Sequence, residues 1–558
     1  MKRTLFMYVC LGCISMGCLH AQPKSRRSDV TVTSLGTVGA ASVRIRRDPA
    51  SGIFYILQND GTILRVAFRP DGSANDSAVY RQPDHGLNHP LGLAFGKDGT
   101  MYLVGNDSTG LLGTATVVKG VADLPGSLHR TWTVIANTVP YPYGHVYNHR
   151  MSGIIVSPAG DSLYVNSGAA TDHGELREGN REVGLTSVVL KLPVNGQNIM
   201  LENDREWLRS NGYLLAEGIR NTFDFAYAGN GDLFGVENSG DRDDPDELNW
   251  IREGHHYGFP WRIGGNNTPQ QFTPYDPRHD PLLNPAAWGG GNLYSTFSND
   301  PTYPLPPDNV TFTDPVASSG PDADRYRDTA TGLVKDASNA GQRLSTFTPH
   351  RSPDGIVFDS DSLLAGDLKG GAFVTSLATS VMLQALGDTS QDLVHCDLQK
   401  TGDGYTAHTT RLVSGFNAPI GIELEGNALY VLETGLEGTN SSPKLWKVSL
   451  PADPRTDVTA GNSLPKRFSL QQNYPNPFNP STNIDFFTPD TGPATLVVYD
   501  VLGQQVQILM NRIVPAGNHS IHWDGRDSRG MPVGSGVYFY RLTAGSNHAS
   551  TRKMIVMR

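Results

Sequence analysis

The chain runs to 558 residues, which gives room for one large folded unit and a smaller one. Its formal charge is -10, with 45 Lys and Arg against 55 Asp and Glu and no basic run after the N-terminus; this excludes the electrostatic footprint of a nucleic-acid binder. Glycine at 61 and proline at 37 are high, and helical periodicity is scarce, so the expected class is all-β.

Residues 1–21 open with Met1-Lys-Arg3, continue through an apolar stretch from Thr4 to Cys18 and end on Leu19-His-Ala21. This is the charged, apolar, small order of a signal peptide, and the apolar run is shorter than the ~20 residues a bilayer span requires. Lipidation at Cys18 is the variant reading. Three of the four cysteines fall in this leader, so a mature chain keeps only Cys396 and forms no internal disulfide.

From about residue 30 to 450 one pattern recurs: an apolar strand, a tight Gly, Asp, Asn or Pro turn, and a second strand. The copies lie at Gly52–Leu57, Leu91–Val104, Ser152–Val165, Phe223–Val236, Asp354–Ala365 and Ile420–Val431. Six irregular copies predict a six-bladed β-propeller, because each small sheet must bury its faces against neighbours around a ring. The wide gap between about 237 and 353 contains Trp288-Gly-Gly-Gly291 and reads as a long functional insertion. Residues 451–466 are polar and turn-rich, a linker. From 467 to 558 the alternating strands Asn483–Phe487, Ala494–Val501 and Ser535–Leu542 predict a small immunoglobulin-like β-sandwich.

Within that last segment stand Tyr474-Pro-Asn-Pro-Phe-Asn-Pro480, Tyr499-Asp-Val-Leu-Gly503, Trp523-Asp-Gly525 and Lys553-Met-Ile-Val-Met557. Over about 90 residues the segment resembles the type IX secretion C-terminal sorting domain. The resemblance implies the secretion machinery as a partner and export through the periplasm and outer membrane, to the medium or the cell surface.

The body carries Gly218-Ile-Arg-Asn221, then Glu237-Asn-Ser-Gly-Asp241 leading to Asp246-Glu-Leu-Asn249, then Tyr257-Gly-Phe-Pro260. It also carries Asn148-His-Arg-Met-Ser-Gly153 and Ser362–Lys369. Here it resembles the glucose/sorbosone dehydrogenase family, whose fold is a six-bladed propeller. The resemblance implies oxidation of a sugar hydroxyl, with hydride passing to pyrroloquinoline quinone beside calcium, and electrons leaving to an acceptor the sequence does not name. His149 would be the general base, for which an imidazole with a pKa near 6.5 is suited. Arg220 would stabilise the developing oxyanion, and Arg220, Asn221 and Lys369 would hold the cofactor. The carbonyls of Ser239 and Gly240, with Asp241 nearby, would hold calcium. The bland alternative for 241–247 is a solvated acidic turn, and for His149 a structural histidine at a blade edge; His89, His145, His173, His255 and His256 read as surface or loop residues.

Two further arginines of the family's cofactor site have no counterpart in Gly415-Phe-Asn-Ala-Pro-Ile420. That loss supports a second reading, a non-catalytic cell-surface propeller binding glycan or protein. A calcium-dependent hydrolase or lactonase is the third.

Overall fold

The computed structural model describes residues 22–557 apart from 70, 124–126, 143–148, 178, 285–296, 436–441, 454–468, 471–472, 474–475, 489–491, 515–516 and 546–547. The expected leader, most of the linker, His145, Asn148 and Trp288–Gly291 therefore lie outside the described residues. The chain divides into two compact units, Met1–Asp453 and Pro454–Arg558. Both are β structures, with helix limited to short turns.

Among the described residues unit 1 contains six main sheets in chain order. The first is Ser42–Arg47, Phe54–Gln58, Ile63–Phe68 and Ala74–Tyr80. The second begins with Gly92–Phe95, Met101–Thr109, Leu112–Ala122 and Arg130–Thr138. The third is Met151–Val156, Ser162–Ser167, Val188–Pro193 and Leu214–Glu217, and the fourth Thr222–Tyr227, Leu233–Glu237 and Glu247–Ile251. The fifth runs Pro353–Phe358, Ala372–Ser376, Asp392–Thr401 and Gly404–Ser414. The sixth is Pro419–Glu425, Ala428–Glu433 and Lys444–Ser449.

Each sheet's first strand packs against the first strand of the next, and Pro419–Glu425 packs back against Ser42–Arg47. The chain's opening strands complete the late sheets: Thr31–Thr37 pairs antiparallel with Lys444–Ser449, and Lys24–Ser25 with the end of Gly404–Ser414. Apolar clusters fill the spaces between neighbouring sheets; one joins Ile45, Phe54 and Ile56 of the first sheet to Ile420, Tyr430 and Leu432 of the sixth. The inner strands, such as Phe54–Gln58 and Leu233–Glu237, bury both faces in this way, whereas outer strands such as Thr31–Thr37 and Ala74–Tyr80 keep exposed positions.

The first strands run the same way along this ring. Ser360 Oγ donates to the Tyr227 carbonyl at 2.9 Å, and Asn238 Nδ2 donates to Asp354 Oδ1 at 3.2 Å. Both pairings require Thr222–Tyr227 and Pro353–Phe358 to be parallel, so one end of the ring gathers the segments entering first strands and leaving second strands.

Unit 2 has two sheets, Ser469–Leu470 with Thr482–Thr488 and Gly517–Trp523, and Gln505–Val514 with Gly492–Tyr499, Gly536–Ala544 and His548–Val556. They enclose one cluster built on Leu496, Trp523, Tyr540 and Met554.

Candidate functional site

The entering end of the third and fourth sheets brings His149 and Arg220 together through backbone. His149 N–H donates to the Ala169 carbonyl at 2.8 Å, and Ala169 N–H donates to the Arg220 carbonyl at 2.7 Å. Gly168 permits this approach, since a Cβ there would sit 2.4 Å from the His149 Cβ.

Asp172 is the hub. Arg220 Nη2 donates to Asp172 Oδ1 at 2.7 Å, Arg220 Nε to the Asp172 carbonyl at 2.8 Å, and Arg220 Nη1 to the Asn238 carbonyl at 2.9 Å. A guanidinium has five N–H donors, so one on each terminal nitrogen remains beyond these bonds. The Asp241 amide approaches both Asp172 carboxylate oxygens at 3.2 Å. Burial works against a charge on Asp172, but Arg220 and His173 outweigh it and hold the carboxyl well below its usual range.

His173, expected at the surface or in a loop, lies in the loop between Ser162–Ser167 and Val188–Pro193 and is buried there. Its Nδ1 lies 3.0 Å from Asp172 Oδ2, its ring stacks on Phe297 with centroids 3.9 Å apart, and its carbonyl accepts the Tyr303 hydroxyl at 2.6 Å. Phe297 and Tyr303 come from the insertion, which thus covers this part of the site. Burial lowers the His173 pKa, yet Glu175, Asp172 and Asp241 together raise it. His149 behaves oppositely: burial first and Arg220 second push it down to about 3. Two ring nitrogens here, His149 Nδ1 and His173 Nε2, are sealed from solvent with no hydrogen-bond partner among the described residues.

The acidic turn is not solvated. Arg242 pairs with Asp244 and Asp280, and Asp243 with Arg327 and His350, at 2.6–2.8 Å. Asp246 accepts from the Ser239 amide and hydroxyl and from the Arg351 and Ser352 amides. These bonds pin the loop 239–241 beside Asp172. Among the described residues the carbonyls of Ser239 and Gly240 accept no hydrogen bond, and no cluster of three or more His, Cys, Asp or Glu side chains is arranged for a metal. A hard cation here would therefore rest on backbone oxygens, with Asp241 beside them.

Asn221 lies next to Arg220, buried, and its carbonyl accepts the Asn238 amide at 3.3 Å. Glu237 supports both neighbours, accepting the Arg220 amide at 2.8 Å and the Thr222 hydroxyl at 3.0 Å.

Lys369 is not part of this group. Asp359 ties Leu363, Leu364 and Gly370 amides into a compact turn between Phe358 and Ala372. Lys369 leaves that turn at the opposite end of the first strands and pairs with Asp453 at 3.0 Å. The fifth repeat therefore departs from its expected form: Leu363–Ala365 belongs to a turn, and the strand pairing with Pro353–Phe358 is Ala372–Ser376. Asp172, His173 and Glu175 are the residues sequence reasoning passed over. Their signal was a polar run, Thr171-Asp-His-Gly-Glu175, between two strands at the same chain position as the Glu237–Asp241 loop of the next sheet.

Residues 52–290 match the glucose/sorbosone dehydrogenase family and residues 472–557 the secretion system C-terminal sorting domain. Among solved structures, the chain is similar to the PQQ-bound aldose sugar dehydrogenase of Streptomyces coelicolor, at 15% identity, covering 76% of this chain and 99% of that one with a TM-score of 0.44. It is also similar to the pyranose dehydrogenase PQQ domain of Coprinopsis cinerea, at 13% identity, 77% and 97% coverage and a TM-score of 0.48. The apo soluble aldose sugar dehydrogenase of Escherichia coli gives 15%, 75% and 99%, and 0.43. No curated protein matches the chain.

Proposed function

We propose, for a chain that carries a glucose/sorbosone dehydrogenase domain over residues 52–290 and a secretion sorting domain over 472–557, an exported quinoprotein-type sugar dehydrogenase. Unit 1 is read as a six-bladed β-propeller spanning about residues 30–450, and unit 2, from 467, as an immunoglobulin-like sandwich that delivers the propeller through the type IX machinery. The observation that carries the reading is the convergence of His149, Arg220 and the Asp172–His173 pair at one end of the ring.

The residues fit the reactive side of such a cofactor: a guanidinium with N–H groups to spare, the His149 imidazole beside it, and two adjacent carbonyls, of Ser239 and Gly240, that accept no hydrogen bond among the described residues and suit calcium. Pyrroloquinoline quinone bound there would supply the hydride acceptor, and calcium the polarising charge. His149, kept neutral by burial and by Arg220, takes the proton of the sugar hydroxyl. Arg220, fixed by Asp172, presents its remaining N–H groups to the oxygen on which negative charge develops. Asp172 keeps that guanidinium oriented, and Phe297 with Tyr303 keeps water from His173.

A second reading, a non-catalytic surface propeller that binds glycan, is favoured by Lys369, whose position at the far end removes a cation from the cofactor's carboxylates. Calorimetric titration of the calcium-loaded protein with pyrroloquinoline quinone, followed by dye-linked oxidation of a sugar panel, separates the two. Binding that is lost in Arg220→Ala, with oxidation alone lost in His149→Ala, supports the dehydrogenase. Sugar binding without quinone binding supports the surface receptor.

A further inference from the structure

Two turns of unit 2 share one construction. In Asp500-Val-Leu-Gly503, Asp500 Oδ1 accepts the Leu502 and Gln504 amides at 2.9 Å, and Gly503, at φ 77°, closes onto the Asp500 carbonyl. In Asp527-Ser-Arg-Gly530, Asp527 Oδ1 accepts the Arg529 and Met531 amides at 2.9 Å, and Gly530, at φ 76°, closes onto the Asp527 carbonyl. Carboxylate-anchored turns with a left-handed glycine are stiff. Yet each displays apolar side chains: Val501 is 66% exposed, Leu502 79% and Met531 60%.

The turns are neighbours, since Ser528 N–H donates to the Val506 carbonyl at 3.0 Å. Strand register brings a third element to the same end: Tyr499 pairs with Phe539 and Gly536 with Val556, so Met557, 57% exposed, emerges there too. Large aliphatic groups held rigidly in water cost solubility and lose little entropy on contact, which is the signature of a recognition surface.

We infer that the tip formed by Val501, Leu502, Met531 and Met557 is the surface by which the sorting domain docks into an apolar pocket of the type IX secretion machinery. The inference rests on the sorting reading of unit 2 and assigns it to particular side chains. Of the charges beside the tip, Asp524 pairs with Arg526 and Asp527 with Arg529, and the Asp500 carboxylate is turned onto the amides of its own turn, so the outward face of the tip is apolar.

The test is export of the full chain from a bacterium that possesses this machinery, comparing wild type, Leu502→Asp with Met531→Asp, and Thr551→Asp on an exposed strand position as a control. Expected is loss of surface and medium protein for the double variant, which accumulates in the periplasm with an unchanged melting profile, while the control is exported. Export of the double variant at the wild-type level overturns the inference. Retention of the wild type overturns the sorting reading as well. Should the aspartates unfold the domain, the milder Leu502→Asn with Met531→Gln gives the same comparison, and Leu502→Met must restore export.

Discussion

Asp172 and Arg220, separated by 48 residues, meet in a two-point contact in which Nη2 reaches the Asp172 carboxylate at 2.7 Å and Nε its carbonyl at 2.8 Å. The side chains are 1% and 5% exposed, so neither charge has water to fall back on. Asp172→Ala is therefore expected to cost about 3–5 kcal/mol, the usual penalty for leaving a buried charge alone. Denaturant titration measures it. Arg220→Met with Asp172→Leu, which removes both charges and keeps volume, is expected to recover most of that stability while abolishing quinone binding.

Asp354 is one of several carboxyls, with Glu237 and Glu423, whose ionisation is disfavoured by burial. It is buried, and desolvation pushes its carboxyl up to about 7, only partly opposed by Asn238 and Ser352. The unfolded value lies near 3.9. A raised folded value means that ionisation is disfavoured in the folded state, so this contribution to stability is fully present below pH ~4 and is lost as pH rises towards about 7. Asp354→Asn should make the fall in stability between those limits shallower, Glu237 and Glu423 still contributing to it, and leave the variant relatively more stable at pH ~8. Thermal melts from acid to mildly alkaline pH check it; an unchanged slope counts against the assignment.

Gly168→Ala tests how tightly His149 is held. The added Cβ meets the His149 Cβ at 2.4 Å and its carbonyl oxygen at 2.6 Å, both parts of the backbone's immediate surroundings and unable to swing away. Overpacking of this kind costs about 1–3 kcal/mol. The expected result is a lower melting temperature together with loss of sugar oxidation, whereas a stability change with activity intact would detach His149 from the reaction.

The hairpin repeats were legible because alternation and turn residues are local properties, and they locate the opening strands of the second to sixth sheets, only the second strand of the fifth being misplaced. The site was legible only where its residues sit in recognisable strings, as Arg220 and His149 do. His173 was not, because its burial comes from Phe297 and Tyr303, more than a hundred residues away, and no local pattern records that contact. Lys369 was named from a family string alone, which does not record that Asp359 gathers the Leu363, Leu364 and Gly370 amides into a turn or that Lys369 pairs with Asp453. That the alternative of a solvated turn for 241–247 does not hold was not legible, because Arg327, His350 and Asp280, which neutralise or extend the run, are distant in sequence.

Leu35 tests the closure of unit 1. It sits on Thr31–Thr37, the outer strand of the sixth sheet, yet it is 4% exposed and shares a cluster with Ile45 and Leu64 of the first sheet and Leu445 of the sixth. The strand thus joins the beginning of the chain to its end by hydrogen bonds and by packing. Leu35→Ala leaves the ladder intact and removes only the packing, at an expected cost of about 2–5 kcal/mol. Deleting residues 22–37 removes both and leaves Lys444–Ser449 as an unprotected edge beside exposed apolar surface, which favours aggregation. Limited proteolysis should then cut first within 419–449 while the third and fourth sheets persist. Uniform, simultaneous loss of all fragments would mean instead that the closing strand is required for every sheet, because the ring folds only as a whole.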